Sequence, residues 1–157
     1  MVDVVDVATR SRMMSGIQGR NTKPEITIRQ ALHARGFRFR LHVASLPGKP
    51  DLVLKKYKAV VFVHGCFWHG HTCRYFKIPK TRADFWLDKI RKNQVRDQLQ
   101  INSLMEQGWR VLIVWECAVR SIKREKSPIL FDLIIAWLVD GNELSEIDEN
   151  VCLVTHL

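Results

Sequence analysis

No stretch of the 157 residues is apolar for long enough to cross a bilayer, and no apolar segment near the start resembles an export signal. The expectation is an unexported, cytoplasmic protein with no membrane partner. Acidic residues are scarce: 16 Asp and Glu stand against 25 Lys and Arg, a formal net charge of +9. That balance favours a polyanion such as DNA or RNA over an acidic protein as partner. Cysteine is sparse, with residues at 66, 73, 117 and 152. Without export, metal binding is a better use for them than disulfides. Internal repeats, low-complexity segments and Pro/Gly-rich linkers are lacking too, so residues 1–157 read as one domain.

What the chain does have is a dense centre. His64-Gly65-Cys66-Phe67-Trp68-His69-Gly70-His71-Thr72-Cys73 holds three of the six histidines and two of the four cysteines. The apolar run Ala59-Val60-Val61-Phe62-Val63 leads into it and reads as a buried strand. Metal ligands and proton carriers therefore gather at a strand end, where α/β proteins place their chemistry.

The flanking segments supply a frame. Residues 1–20 form a basic, weakly amphipathic arm, with Met14 and Ile17 as apolar residues that either pack on the body or wedge into a DNA minor groove. Thr22, Pro24 and Glu25 mark a helix N-terminus with a capping box, and Gly36 marks its end. Phe37 to Leu41 alternates as a strand does, and Asp51 to Leu54 pairs across a basic turn with the run from Ala59 to Val63. That hairpin brings Asp51 towards residues 62–64. Residues 82–107 form one long helix with Thr81 as N-cap and Leu87, Ile90, Ile101, Leu104 and Met105 facing inward. Trp86, Lys89 and Asn93 share another of its faces. Trp109 to Trp115 is the clearest central strand, residues 127–139 a last helix capped by Ser127, and Val151 to Val154 a closing strand.

Cys66, His71 and Cys73 suit tetrahedral zinc, which binds thiolate and imidazole; a closed structural site needs a fourth ligand. Cys117 is the natural candidate and Cys152 the alternative. His64 and His69 are then free for proton transfer. Asp51 suits Mg²⁺, and Glu25 either reaches the same ion through water or only caps its helix. Phe67 and Trp68, adjacent in a Gly-flanked loop, suit stacking on bases.

Ala8-Thr9-Arg10-Ser11, Ala44 to Asp51, His64 to His69, Phe85-Trp86-Leu87 and Gly108 to Cys117 together resemble the very short patch repair (Vsr) endonucleases, in order over about residues 1–120. The resemblance implies a restriction-endonuclease-like α/β fold: a central mixed β-sheet flanked by helices, with a structural zinc site and an N-terminal helical arm. It implies a Mg²⁺-dependent enzyme that nicks one strand on the 5′ side of the thymine in a G:T mismatch, the product of 5-methylcytosine deamination. By the same resemblance Asp51 and the backbone carbonyl of Val63 hold Mg²⁺, and Glu25 supports its waters. His69 and His64 serve hydrolysis, with Asp97 orienting His69. Cys66, His71, Cys73 and Cys117 hold zinc. Phe67, Trp68 and Trp86 wedge in from the major groove, and Met14 and Ile17 from the minor groove. Lys89 and Asn93 read the wobble pair. Val63 stands where a family member has Thr, and Phe62 and His64 stand where the wider nuclease fold has a second acid and a Lys. The expected partner is double-stranded DNA with a G:T mismatch, with mismatch-repair proteins and a cognate cytosine-5 methyltransferase system as further candidates. A single-strand nick needs one active site, so a monomer is expected. A restriction-type nuclease on matched duplex and a zinc-stabilised DNA-binding module without catalysis are the competing readings.

Overall fold

A computed structural model describes residues 20–125 and 128–151. Helix α1 (Lys23–Ala34) starts at Thr22, whose side chain accepts from the Glu25 N–H. The reciprocal half of the box is shifted by one residue, because the Glu25 carboxylate takes the N–H of Asn21 at 2.9 Å. The helix stops at Arg35, and Gly36 follows at φ +90°, where a Cβ would be strained. The alternating Phe37–Leu41 segment yields only a two-residue strand, β1 (Arg40–Leu41). Phe37 and Phe39 pack on the core from irregular chain instead.

Strands β2 (Leu52–Leu54) and β3 (Ala59–His64) form the expected hairpin, joined by a 3₁₀ turn over Lys55–Tyr57 and by Lys58 in the left-handed region. Helix α2 (Ala83–Glu106) follows the loop after β3. It is entered through Arg82 at φ 58° with no side-chain cap, so Thr81 does not act as the N-cap. Ile90, Ile101 and Leu104 are buried as expected, but Leu87 is 45% exposed and does not join the inward stripe. Strand β4 (Arg110–Trp115) runs directly into helix α3 (Glu116–Glu125), which the sequence reading did not anticipate. No breaker separates the two. The chain turns helical where Cys117, Ala118 and Ser121 find a buried face. Helix α4 (Ile129–Asp140) follows, and its proposed cap, Ser127, lies outside the described residues. The last strand among the described residues is β5 (Leu144–Ile147), and the expected strand start at Val151 is helical instead. Residues 152–157 lie outside the described residues, as do residues 1–19 with Met14 and Ile17.

The five strands form one mixed sheet in the order β1-β2-β3-β4-β5, antiparallel to β3 and parallel beyond it. Alternation divides the core in two. Leu52, Leu54, Val61, Leu112 and Val114 meet α1, α3 and α4 on one face. Val53, Val60, Phe62, Val111 and Ile113 meet Ile101 and Leu104 of α2 on the other. Arg110 ties the far end down, donating to the carbonyls of Tyr57 and Leu138 at 2.8 Å and of Trp137 at 3.0 Å. These carbonyls lie at a helix C-terminus or in a turn, where intrahelical donors run out; that of Trp137 also accepts the Gly141 N–H at 2.8 Å. No helix among the described residues is long and apolar enough to cross a membrane.

Candidate active site

Among the described residues, three clusters of His, Cys and carboxylate side chains lie about the C-terminal end of β3. Antiparallel pairing of Leu52 with Val61 puts Asp51 just past the strand pair, and its Oδ2 accepts the Val63 N–H at 2.7 Å. Glu25, buried on the first turn of α1, comes to the same place. Between the two carboxylates sits a residue that sequence reasoning missed. His42 Nε2 is 3.0 Å from Glu25 Oε2 and 3.6 Å from Asp51 Oδ1. One ligand atom from each of the three lies within 4.8 Å of the others, a group able to hold a metal ion. Burial pushes the Asp51 carboxyl up from 3.8 to about 7; the Val63 N–H opposes the rise and the neighbouring Glu25 adds to it. A carboxyl so perturbed is poised to exchange its proton for a cation.

One residue further along β3, His64 points to the opposite face. Its ring stacks on His69 with centroids 3.8 Å apart and planes 3° from parallel. His69 Nδ1 meets Asp97 Oδ2 of α2 at 2.5 Å. Burial lowers His64 from 6.5 to about 3; the adjacent His69 also lowers it and Asp97 works the other way. His64 is therefore a neutral ring at neutral pH. Residues His64, His69, Asp97, Gln94, Trp115 and Glu146 line an open cleft of ≈ 280 Å³. The sequence expectation that Asp97 orients His69 matches this contact.

The third cluster follows from strand register. Parallel pairing sets His64 beside Trp115, and two residues beyond each lie Cys66 and Cys117. Their sulfurs, with those of Cys73 and a ring nitrogen of His71, lie within 4.8 Å of one another. His71 Nδ1 faces Cys117 Sγ at 3.7 Å, and its Nε2 meets Asp148 Oδ2 at 3.2 Å. A carboxylate on the outer nitrogen of a ligating histidine fixes its tautomer. The Glu149 N–H donates to Cys117 Sγ at 3.4 Å. Hydrogen bonding from Cys66 lowers the Cys117 thiol from 9.0 to about 6, while the same contact raises Cys66. The cluster thus already favours one thiolate. Asp148 and Glu149 went unrecognised in the sequence, since they follow β5 and reach the cluster only through the sheet. Cys152 lies outside the described residues.

The loop carrying these ligands is fastened to α2. Gly70 sits at φ +69°, and a Cβ there would lie 2.7 Å from Ile90 Cγ2. Asn93 Nδ2 donates to the Trp68 carbonyl at 2.9 Å. Phe67, Trp68 and Trp86 are half-buried and pack edge to face, with centroids 5.1 to 6.0 Å apart. Lys89 Nζ lies 5.4 Å from the Trp68 ring centre and 5.9 Å from that of Trp86. Among the expected DNA contacts, these five residues are gathered on one surface. Trp115 forms the wall between clusters: its ring stacks on His71 at 4.4 Å and meets His64 edge-on at 5.3 Å.

Comparison with known proteins gives a consistent picture. Residues 2–75 match the family model described as DNA mismatch endonuclease Vsr. The chain is 47% identical over 148 residues to the DNA mismatch endonuclease Vsr of Escherichia coli K12, covering 94% of this chain and 95% of that one. It is 45% identical to a type II nicking enzyme of Xanthomonas oryzae pv. oryzae, covering 78% of this chain and 90% of the relative. A type II nicking enzyme of Neisseria meningitidis serogroup A is 46% identical, over 77% of this chain and 86% of its own.

Proposed function

Since this chain belongs to the Vsr family of DNA mismatch endonucleases, we propose that it is a Mg²⁺-dependent enzyme that hydrolyses the phosphodiester 5′ of the thymine in a G:T mismatch. It is a DNA endonuclease; the mismatch specificity, the metal and the residue roles are the content of the proposal. The observation that carries it is the pairing of two half-sites about Val63. The Asp51 carboxylate is hydrogen-bonded to that residue's N–H, and the stacked His64–His69 pair begins at the next residue.

Asp51 and Glu25 are hard oxygen donors, and such donors suit Mg²⁺. Asp51 and the Val63 backbone carbonyl would hold the ion, with Glu25 supporting its waters. When bound, Mg²⁺ supplies Lewis-acid polarisation of the scissile phosphate. The protein does the rest. His69, whose Nδ1 is engaged by Asp97, keeps Nε2 for the proton of the attacking water. Neutral His64 backs the His69 ring without adding a positive charge.

Cys66, His71, Cys73 and Cys117 suit a structural zinc of the closed, four-protein-ligand kind. That ion would hold the loop whose Phe67 and Trp68, with Trp86, insert at the weakened pair from the major groove. Opening a mismatched step costs less than opening a matched one, which favours wedging as a means of selection. Lys89 and Asn93 would read the wobble pair, and Met14 and Ile17 would approach from the minor groove. The mixed sheet and its helices form a restriction-endonuclease-like core in this reading, acting as a monomer in the bacterial cytoplasm beside mismatch-repair proteins and a cytosine-5 methyltransferase.

The test is cleavage of a labelled duplex carrying one G:T pair and of its G:C counterpart, with and without Mg²⁺. A nick only at G:T, only with Mg²⁺, and abolished in Asp51→Asn is the expected result. Cleavage of both strands of the matched duplex would replace the proposal with a restriction-type nuclease. Binding without cleavage under any divalent ion would replace it with a DNA-binding module.

A further inference from the structure

His42 has no part in the hydrolysis just described, yet its ring is the centrepiece of the carboxylate half-site. It lies in the irregular segment after β1, at φ 48°, in the left-handed region that a non-glycine residue seldom adopts. That backbone setting sends its Nε2 between Glu25 Oε2 at 3.0 Å and Asp51 Oδ1 at 3.6 Å. The ring is largely enclosed, with 16% of its side chain exposed, against 4% for Glu25 and 14% for Asp51.

Those spacings carry metric information. An octahedral ion with bonds of about 2.1 Å holds neighbouring donors roughly 3 Å apart and opposite donors about 4.2 Å apart. The 3.0 Å separation matches neighbouring vertices, the 3.6 Å separation lies between neighbouring and opposite ones, and one ligand atom from each of the three residues falls within 4.8 Å of the others. Three protein donors leave the remaining positions of a six-coordinate ion for water and phosphate. A nitrogen donor also changes which ion is favoured. Mg²⁺ prefers oxygen and keeps its waters, whereas imidazole suits first-row transition ions.

We propose that His42 is a metal ligand: its Nε2, with Glu25 Oε2 and Asp51 Oδ1, forms an imidazole–dicarboxylate set that selects Mn²⁺ over Mg²⁺. The inference rests on the cation site of the proposed function, since it uses the same carboxylates; it moves Glu25 from the ion's waters to the ion itself and adds His42 and an ionic preference. Mg²⁺ still binds through the carboxylates and supports the reaction. Mn²⁺ occupies the site at lower free concentration.

The experiment uses the full-length, zinc-loaded chain. Mn²⁺ binding is followed by the loss of the free-ion EPR signal, Mg²⁺ by competition, and bound Mn²⁺ by electron spin-echo detection of coupled ¹⁴N. Wild type is expected to bind Mn²⁺ about ten-fold or more tighter than Mg²⁺, with imidazole nitrogen coupling. His42→Gln is expected to lose the coupling and about ten-fold in Mn²⁺ affinity while holding Mg²⁺ within about two-fold. His42→Asn, which tolerates the left-handed backbone but is too short to reach, should behave in the same way. Bound Mn²⁺ without nitrogen coupling in wild type, or coupling that persists in folded His42→Gln, overturns the assignment. Asp51→Asn separates the two levels of the argument. If it abolishes Mn²⁺ binding and His42→Gln does not alter it, only the role of His42 falls. If Mn²⁺ binds Asp51→Asn as it binds wild type, the carboxylate cation site falls with it.

Discussion

The imidazoles of His64 and His69 lie face to face, 3.8 Å between centroids, and among the described residues only His69 of the two has a carboxylate on its ring. The pair is therefore asymmetric. Asp97 engages Nδ1 of His69, while burial disfavours a proton on His64.

If His69 takes the proton of the attacking water, His69→Ala should lower the nicking rate by about 10²-fold or more. Asp97→Asn keeps an acceptor for Nδ1 but removes the charge, so a loss of about ten-fold in kcat with little change in KM is expected. Single-turnover cleavage of the G:T duplex measures both. A rate for Asp97→Ala equal to that of wild type would show that the contact plays no part in the reaction.

Burial acts in opposite senses on Asp51 and His64, and this gives a pH signature. Asp51 is raised from 3.8 to about 7, so the folded state binds the extra proton across that window and stability falls as pH rises through it. His64 is lowered from 6.5 to about 3, so the unfolded state binds the extra proton and stability rises with pH over its window. In Mg²⁺-free protein the two slopes oppose one another from pH 3.8 to 6.5, each at most about 1.4 kcal/mol per pH unit. Relative to wild type, Asp51→Asn should gain stability as pH rises and His64→Gln should lose it. Thermal melts of the three proteins at matched ionic strength measure these differences, in which pH effects common to all three cancel. Parallel profiles would contradict the assigned environments.

A zinc ion held by Cys66, His71, Cys73 and Cys117 would couple metal to folding. Elemental analysis should give one zinc per chain, and Cys73→Ser or Cys117→Ser should release it with a loss of several kcal/mol or failure to fold. Asp148→Asn should keep the ion but weaken it by about 10- to 100-fold, as loss of an outer partner does elsewhere. Chelator competition measures this, and unchanged zinc retention in Cys117→Ser would remove that residue from the ligand set.

Phe67, Trp68 and Trp86 pack against one another and are only half-buried, so truncating one should cost little stability. Trp68→Ala is expected to weaken mismatch binding by about 1–3 kcal/mol, the scale of a stacking contact. Gel-shift titrations on G:T and G:C duplexes should show the loss on the G:T duplex alone. Equal weakening on both would mean that the rings contact DNA without selecting a mismatch.

Much of this organisation was legible in the residues. The β2–β3 hairpin follows from two apolar runs across a basic turn, and its pairing carries Asp51 to Val63. The nearness of Cys66 to Cys117 is implied once β3 and β4 run parallel, because each lies two residues past a paired position. His42 was not legible, since a lone histidine outside any period gives no spacing signal and meets Glu25 and Asp51 only in the folded chain. Helix α3 was hidden by the lack of any breaker after Trp115, and Asp148 by its place after a strand that was itself misplaced. Thr81 failed as a cap because the chain enters α2 through a left-handed Arg82.

The pleat of β3 has a consequence for how such an enzyme can change. Val63 packs towards the face covered by α1, which carries Glu25, and His64 turns to the face covered by α2, which carries Asp97. Two adjacent residues thus belong to two separately supported neighbourhoods. In the proposed reading, substitutions on α1 would act on the carboxylate half-site and those on α2 on the histidine pair, without either passing through the other. A single inserted residue within β3 would exchange the two neighbourhoods and lose both. The strand therefore tolerates sequence drift on either side of it but no change of length.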